Sequence, residues 1–163
     1  MFGRFAKAAA IGVTLLACEI APVRAEVSAQ FHNRVDELVR WLSKHSDYPG
    51  AFMNAPVFVF LSPGAIRHSF AGSSMGYDKK KDVKAAQAGS RIVLPSTFML
   101  GRDDYMLLHE LVHYLQYESG KTFFCLEERE REAYRLQTAF VIETGTGEMP
   151  NDMFMMMLRC DIR

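Results

Sequence analysis

The feature that most limits the folds open to this chain is the segment 109–120, HELVHYLQYESG. His109 and His113 are four residues apart, so on an α-helix they lie on one face, about 40° apart in azimuth and one turn apart in height. The flanking sequence predicts such a helix, since Asp103 and Asp104 suit its first turn and Gly120 suits its end. Its apolar face is supplied by Leu108, Leu111, Val112 and Leu115.

Two imidazoles on one helical face can bind a single divalent ion. Zinc suits imidazole nitrogen, and a tetrahedral zinc site needs one more protein ligand if a place is to remain for water. Glu110 follows His109 directly, where its carboxylate can reach that water and take a proton from it. The competing interpretation is that His109 and His113 are hydrogen-bonded polar residues on an ordinary packed helix.

The third ligand is expected to be a carboxylate. Histidine occurs only at positions 32, 45, 68, 109 and 113, so no histidine follows His113 and the metzincin pattern is excluded; Gln116 stands at its glycine position. The next helix, CLEEREREAYRLQTAFVIETG, has an inward stripe of Leu126, Glu130, Ala133, Gln137 and Phe140. Glu130 stands where an apolar residue is expected, and a buried charge needs a partner such as a metal.

Glu127 borders the same stripe and is the second candidate for the third ligand. Glu128 and Glu132 lie off the stripe with Arg135, and we expect them to form an exposed charged face.

With HELVH followed by EREAY, the chain resembles the gluzincin zinc metallopeptidases, especially their small bacterial single-domain members. The third ligand of that family is a Glu in E-x-x-A-D on the following helix, which corresponds to Glu130, Ala133 and Tyr134. The resemblance covers roughly residues 91–144. It implies a zincin-like domain that binds Zn²⁺ through His109, His113 and Glu130 and hydrolyses peptide bonds with Glu110 as general base and acid. It also implies that RIVLP is an edge strand that aligns substrate.

Two departures from the family pattern bear on activity. Tyr134 replaces the Asp that holds the first histidine in its tautomer, and a phenol accepts an imidazole N–H less strongly than a carboxylate does. The larger members take their oxyanion donor from a downstream domain, whereas few residues follow Gly145 here. Tyr77, His68, Tyr114 and Tyr117 are candidates for that donor, and the sequence does not choose among them.

The remaining segments predict a small α+β domain. Phe31, Val35, Leu38 and Leu42 have helical spacing, and APVFVFLSPG indicates a buried strand. Residues 68–90 are polar and rich in Gly and Ser, which favours a long surface loop or a loose hairpin. RIVLP is the second strand, and its Pro95 favours an edge or a strand end because proline cannot donate to a ladder.

The N-terminal 25 residues predict a bacterial secretory signal, leaving a metallopeptidase domain over residues 26–163. Arg4 and Lys7 precede a short apolar run, and small or apolar residues precede a cleavage point after Ala25. LLAC is a weaker alternative that would lipidate Cys18, and an uncleaved anchor is less favoured still. The expected location is therefore the periplasm or the extracellular space.

Cleavage would leave Cys125 and Cys160, and an even count in an exported chain favours a disulfide over two buried thiols. The formal net charge of +0 gives no electrostatic case for nucleic-acid or anionic-membrane binding. The predicted partner is a peptide or protein substrate, acted on by a monomer with no membrane span. The rival functions are a zinc-binding protein without peptidase activity, a structural envelope protein, and a hydrolase of cell-wall peptide crosslinks.

Overall fold

The computed structural model describes residues 28–70, 84–151, 155–156 and 158–160. Within that part the chain is α+β, as predicted, with four helices and a small mixed sheet of three strands. In chain order the elements are α1 (Ala29–His45), β1 (Val57–Leu61), α2 (Pro63–Phe70), β2 (Ala86–Ala88), β3 (Arg91–Pro95), α3 (Asp104–Glu118) and α4 (Leu126–Thr144).

Helix α1 forms as its apolar spacing predicts. The side-chain oxygen of Ser28 accepts the backbone N–H of Phe31 at 3.3 Å, which satisfies one donor of the first turn. The residues buried from this helix include the predicted Phe31, Val35, Leu38 and Leu42. Phe31 meets Phe58 of β1 edge-on, with ring centroids 4.9 Å apart, so the first turn of α1 packs against β1.

The strand order β1-β3-β2 places RIVLP at the centre of the sheet. Strand β3 runs parallel to β1 and antiparallel to β2, so the prediction that RIVLP is an edge strand is wrong. The alternative interpretation of Pro95 is correct, because it is the last residue of the strand. Strand β1 is only half-buried, with Val57 54% exposed, because it lies at one edge.

The other edge is β2, in a segment expected to be a loop or loose hairpin. Ala86, Gln87 and Ala88 lack the β-branched and aromatic residues that mark strands, so the sequence carried little signal for this element. It forms a hairpin with β3 through Gly89, whose φ of 58° favours glycine. The hairpin interpretation therefore holds for this part, and residues 71–83 of the same segment lie outside the described residues.

Helix α2 was also missed, because Pro63 and Gly64 indicate the end of a strand. Proline is well tolerated in the first turn of a helix, where its missing N–H has no intrahelical partner to lose. Ser62 supports this start by accepting the N–H of Ala65 on its side-chain oxygen at 3.2 Å. The same dipeptide therefore both ends β1 and begins α2.

Helices α3 and α4 pack against one another and form the frame for the predicted metal ligands. Gly145 ends α4 in the left-handed conformation, with φ 70°. The predicted disulfide joins Cys125, just before α4, to Cys160 in the C-terminal segment. A disulfide is compatible with an extracellular location.

The predicted signal segment, including Cys18, lies outside the described residues. In the part that the structure covers, no helix combines the length and the apolar character needed to cross a bilayer.

Candidate metal centre

Helix α3 presents His109 and His113 on one face, and α4 brings Glu130 against them. The two Nε2 atoms are 3.1 Å apart. The Glu130 carboxylate lies 3.3 Å from His109 Nε2 through Oε2 and 3.1 Å from His113 Nε2 through Oε1. All three side chains are buried, and their ligand atoms form a group that could hold a metal ion. Glu127 is half-buried and does not belong to this group.

Two glutamine amides fix the tautomers of the two histidines. His109 Nδ1 lies 3.0 Å from Gln137 Oε1, and His113 Nδ1 lies 2.8 Å from Gln116 Oε1. The amide orientations follow from the neighbouring bonds, because Gln137 Nε2 donates to the carbonyl of Glu148 and Gln116 Nε2 donates to the carbonyl of Arg129. Each Nδ1 is therefore the protonated nitrogen, and each Nε2 presents a lone pair.

The centre thus consists of lone pairs that face one another. Glu130 Oε2 is buried and has no hydrogen-bond partner among the described atoms. Acceptors this close repel unless positive charge lies between them, supplied by protons on the imidazoles or by a metal ion. Ligands about 2.0–2.2 Å from a tetrahedral zinc ion are about 3.3 Å apart, close to the distances found here. The residues therefore fit a divalent metal.

Electrostatics at Glu130 agree with this need for positive charge. Burial acts to raise the pKa of the carboxyl group, but the two facing imidazoles, when they carry positive charge, outweigh burial and hold the pKa far below its ordinary value. Glu130 is therefore a carboxylate, ready to act as a ligand.

Gln116 connects the two helices behind His113. Its Oε1 also accepts from Arg129 Nε at 3.2 Å, and its Nε2 also donates to Glu132 Oε2 at 3.0 Å. Glu132 in turn accepts from Tyr48 and Lys121. Glu132 was expected on an exposed face, and that is wrong, since its side chain is only 17% exposed; Glu128 is exposed as predicted.

The positions of Gln116 and Gln137 in the sequence already indicate that they can contact the two histidines. Gln137 stood on the inward stripe of α4, and Gln116 is one turn after His113 on the same helical face. A buried amide beside a histidine pair indicates a hydrogen bond to the outer imidazole nitrogen. Their partners could not be assigned before the packing of α3 against α4 was known.

Glu110 lies between the metal-binding face of α3 and the edge strand β2. Burial raises the pKa of its carboxyl group to about 7, and the nearby Glu130 carboxylate also acts to raise it, while the His109 side chain, the Arg129 guanidinium and the backbone N–H of Gln87 act to lower it. Its exposed fraction is 6%. A carboxylate whose pKa lies near neutrality can both take and return a proton.

Arg129 links the site to the edge strand. Its guanidinium donates to Gln116 Oε1 through Nε and to Gln87 Oε1 through Nη2, the latter at 2.8 Å. The amide of Gln87 is completed by a bond from its Nε2 to the carbonyl of Gly89. A side-chain hydrogen bond therefore connects β2 to α4, the helix that carries Glu130.

Tyr134 stands at the position of the family's Asp but does not orient His109 as that Asp does. The hydrogen bond from His109 Nδ1 goes to Gln137, one turn further along α4. The ring of Tyr134 instead packs on the ring of His109, with centroids 4.3 Å apart and planes inclined at 59°. The hydrogen bond that a phenol at position 134 could have accepted from His109 is therefore accepted by Gln137 instead.

The four suggested oxyanion donors are placed as follows. Tyr114 donates its hydroxyl to the carbonyl of Asn54 at 2.8 Å, away from the metal ligands. Tyr117 is 57% exposed. His68 is an exposed residue of α2, and Tyr77 lies outside the described residues. These placements therefore favour none of the described three as the oxyanion donor.

Comparison with known proteins identifies a family model that matches residues 27–163 and is described as "Domain of unknown function (DUF6647)". No curated protein matches the chain. No solved structure matches it either.

Proposed function

The chain belongs to the DUF6647 family, and we propose that it is a zinc-dependent metallopeptidase of gluzincin type with a zincin-like fold. The observation that carries the proposal is the convergence of His109, His113 and Glu130, all buried, whose ligand atoms lie within 4.8 Å of one another. Three protein ligands leave one tetrahedral position open, which is the arrangement of catalytic and not of structural zinc sites.

Zinc in this position would supply a Lewis acid and lower the pKa of water to about 7. Glu110 accepts the proton of the attacking water and returns it to the leaving amine. Its burial against β2 suits this role, because a desolvated carboxylate is a stronger base than an exposed one. Gln116 and Gln137 hold the imidazoles so that each Nε2 is the ligand atom.

Strand β2 is the element that supports binding of an extended peptide. It pairs with β3 on one side, and among the described residues no strand pairs with its other side. Gln87 of this strand donates its backbone N–H toward Glu110, so the strand passes next to the proposed base. An extended substrate that added to this edge would pass the site. The role of aligning substrate, expected for RIVLP, is therefore assigned to β2.

A zinc-binding protein without peptidase activity is the second candidate. It is favoured by the burial of the whole group, since His109, Glu110, His113 and Glu130 are each at most 8% exposed. Such a module would hold metal and cleave nothing.

The metal is tested by elemental mass spectrometry of the purified protein beside Glu130→Ala and Glu127→Ala. We expect one zinc per chain, lost in Glu130→Ala and kept in Glu127→Ala. Glu127 is a matched control, because it is a carboxylate on the same helix that lies outside the ligand group. One iron in place of zinc would reject the zinc assignment, and no metal after reconstitution would reject the whole proposal.

The reaction is tested with Glu110→Gln on a broad peptide library. We expect zinc retained and turnover abolished, because the amide cannot take a proton from water. Full turnover in this variant would end the assignment of Glu110 as base. A wild type that holds zinc and cleaves no member of the library would favour the non-catalytic module.

A further inference from the structure

Strand β2 has few groups of its own to hold it beside the helices that carry the metal ligands. It is three residues long, and two of those residues are alanines, whose methyl groups bury little apolar surface. Its backbone pairs with β3, but that pairing acts within the sheet and not between the sheet and the helices. Gln87 is therefore the side chain of this strand that can reach a helix, and it is only 7% exposed.

Arg129 of α4 is the helix residue that Gln87 meets. The guanidinium donates through Nη2 to Gln87 Oε1 at 2.8 Å and through Nε to Gln116 Oε1 at 3.2 Å. The same Oε1 of Gln116 lies 2.8 Å from Nδ1 of His113, a candidate metal ligand. One half-buried guanidinium therefore joins the edge strand to the amide that orients this histidine.

An arginine suits this position because its guanidinium is planar and permanently charged. N–H groups in one rigid plane can donate to acceptors on two different elements, whereas the ammonium group of lysine is a single point charge. Both acceptors are neutral amide oxygens, so the bonds are charge-assisted and stronger than bonds between two neutral groups. Gln87 is fixed in turn by its Nε2, which donates to the carbonyl of Gly89 at 2.6 Å, so the guanidinium holds the end of the hairpin as well.

We propose that Arg129 is a positioning residue, which holds the β2 edge where a peptide bound along it reaches the metal centre. This inference rests on the peptidase function proposed above, in which an extended peptide adds to that edge. Arg129 acts on the peptide through Gln87. Its side chain is not needed to orient His113, because Gln116 keeps the bonds from its Nε2 to the main-chain carbonyl of residue 129 and to Glu132. Loss of the guanidinium should therefore weaken binding of the peptide chain and not binding at the metal.

The test compares two hydroxamates that are titrated into the cobalt-substituted protein and followed by its visible spectrum. Acetohydroxamate binds the metal and is too short to extend along the strand. Trialanine hydroxamate carries the same metal-binding group on a peptide that can pair with β2. We expect the wild type to bind trialanine hydroxamate about 5- to 100-fold more tightly than acetohydroxamate, the effect of two additional main-chain hydrogen bonds.

Arg129→Met removes both side-chain hydrogen bonds and keeps a long side chain. It should weaken trialanine hydroxamate about two- to tenfold, with cobalt content and acetohydroxamate affinity close to those of the wild type. Arg131→Met is the matched control, because Arg131 also lies on α4 and also donates through Nε and Nη2, but to the carbonyl of Leu158. This control should bind both hydroxamates as the wild type does.

A double variant separates positioning from a general loss of stability. Gln87→Leu breaks the same link from the strand side, so it should weaken trialanine hydroxamate to a similar degree. Combining it with Arg129→Met should add little further loss, because the two substitutions remove one shared interaction. Fully additive losses would contradict the positioning role. If Arg129→Met does not fold, Gln87→Leu alone carries the comparison of the two hydroxamates.

Peptide hydrolysis gives a second readout. Arg129→Met should raise KM and leave kcat nearly unchanged, because the bound peptide and its transition state use the strand equally. Wild-type affinity of Arg129→Met for trialanine hydroxamate would overturn the inference. An equal loss of affinity for both hydroxamates would also overturn it, by showing that Arg129 maintains the metal site. A wild type that takes up no cobalt, or that binds both hydroxamates equally, refutes instead the metal centre or the peptide binding of the proposed function.

Discussion

Replacement of Gln137 by Leu tests whether the buried amide sets the metal affinity. Gln137 Oε1 accepts from His109 Nδ1 at 3.0 Å, and its Nε2 donates to the carbonyl of Glu148 at 2.8 Å. Leu fills a similar volume and makes neither bond. His109 then loses the partner that keeps its proton on Nδ1, so its Nε2 is no longer reserved for metal.

The magnitude follows from the two bonds. Loss of such a partner lowers metal affinity about 10- to 100-fold, which is about 1.4–2.7 kcal/mol. The free energy of unfolding of the metal-free protein should also fall by about 1–3 kcal/mol, since a buried hydrogen bond contributes about 0.5–1.5 kcal/mol. Zinc affinity is measured by competition with a chromogenic chelator, and stability by urea denaturation.

Gln87→Leu is the matched control for Gln137→Leu. Gln87 is also a buried glutamine, and its side chain also makes two hydrogen bonds, to Arg129 and to the carbonyl of Gly89. It contacts neither imidazole through its side chain. We expect a similar loss of stability with zinc affinity unchanged. The reasoning is refuted if Gln137→Leu binds zinc as tightly as the wild type, or if Gln87→Leu weakens binding equally.

Three further predictions concern the frame around the site. The disulfide joins Cys125 to Cys160, which are 35 residues apart in sequence. Its reduction should lower the free energy of unfolding by about 4 kcal/mol, measured by urea denaturation. The Cys125→Ser/Cys160→Ser double variant is the control, and its denaturation curve should not respond to reductant. Burial acts to raise the pKa of Glu132, but its hydrogen bonds lower it, so its stabilisation is present above the unfolded pKa and lost as pH falls through the folded pKa. Glu132→Gln should therefore destabilise more at pH 7 than at pH 3, and an equal loss at both would contradict this. Gly147 has φ 111°, and an added Cβ would lie 2.8 Å from Tyr105, so Gly147→Ala should lower the Tm, whereas an unchanged Tm would show that the loop adjusts freely.

Local pattern determined the helices on which the site depends. The apolar spacing of α1 and the start and end residues of α3 and α4 were sufficient to place them within a few residues. The weak elements were missed for an equally local reason. Strand β2 is three residues long, and α2 begins at a proline that also marks the end of β1.

The candidate metal ligands followed from the sequence because helical geometry fixes which residues share a face. His109, His113 and Glu130 were each inferred from spacing along one helix, and the structure brings all three together. The charged and polar neighbours were less well predicted. Glu132 was expected in solvent and is instead bonded to Tyr48, Gln116 and Lys121.

The sequence alone therefore determined the class of fold, the disulfide pair and the three residues that could hold a metal. Tertiary structure decided which residues support them: Gln116 and Gln137 against the imidazoles, β2 and not β3 at the edge beside Glu110, and Tyr134 on the face of His109. The physical reason is that periodicity is a property of one element, whereas a hydrogen bond between α3 and α4 depends on their relative rotation and separation. Those are set by the packing of the whole core, which no short segment of the chain encodes.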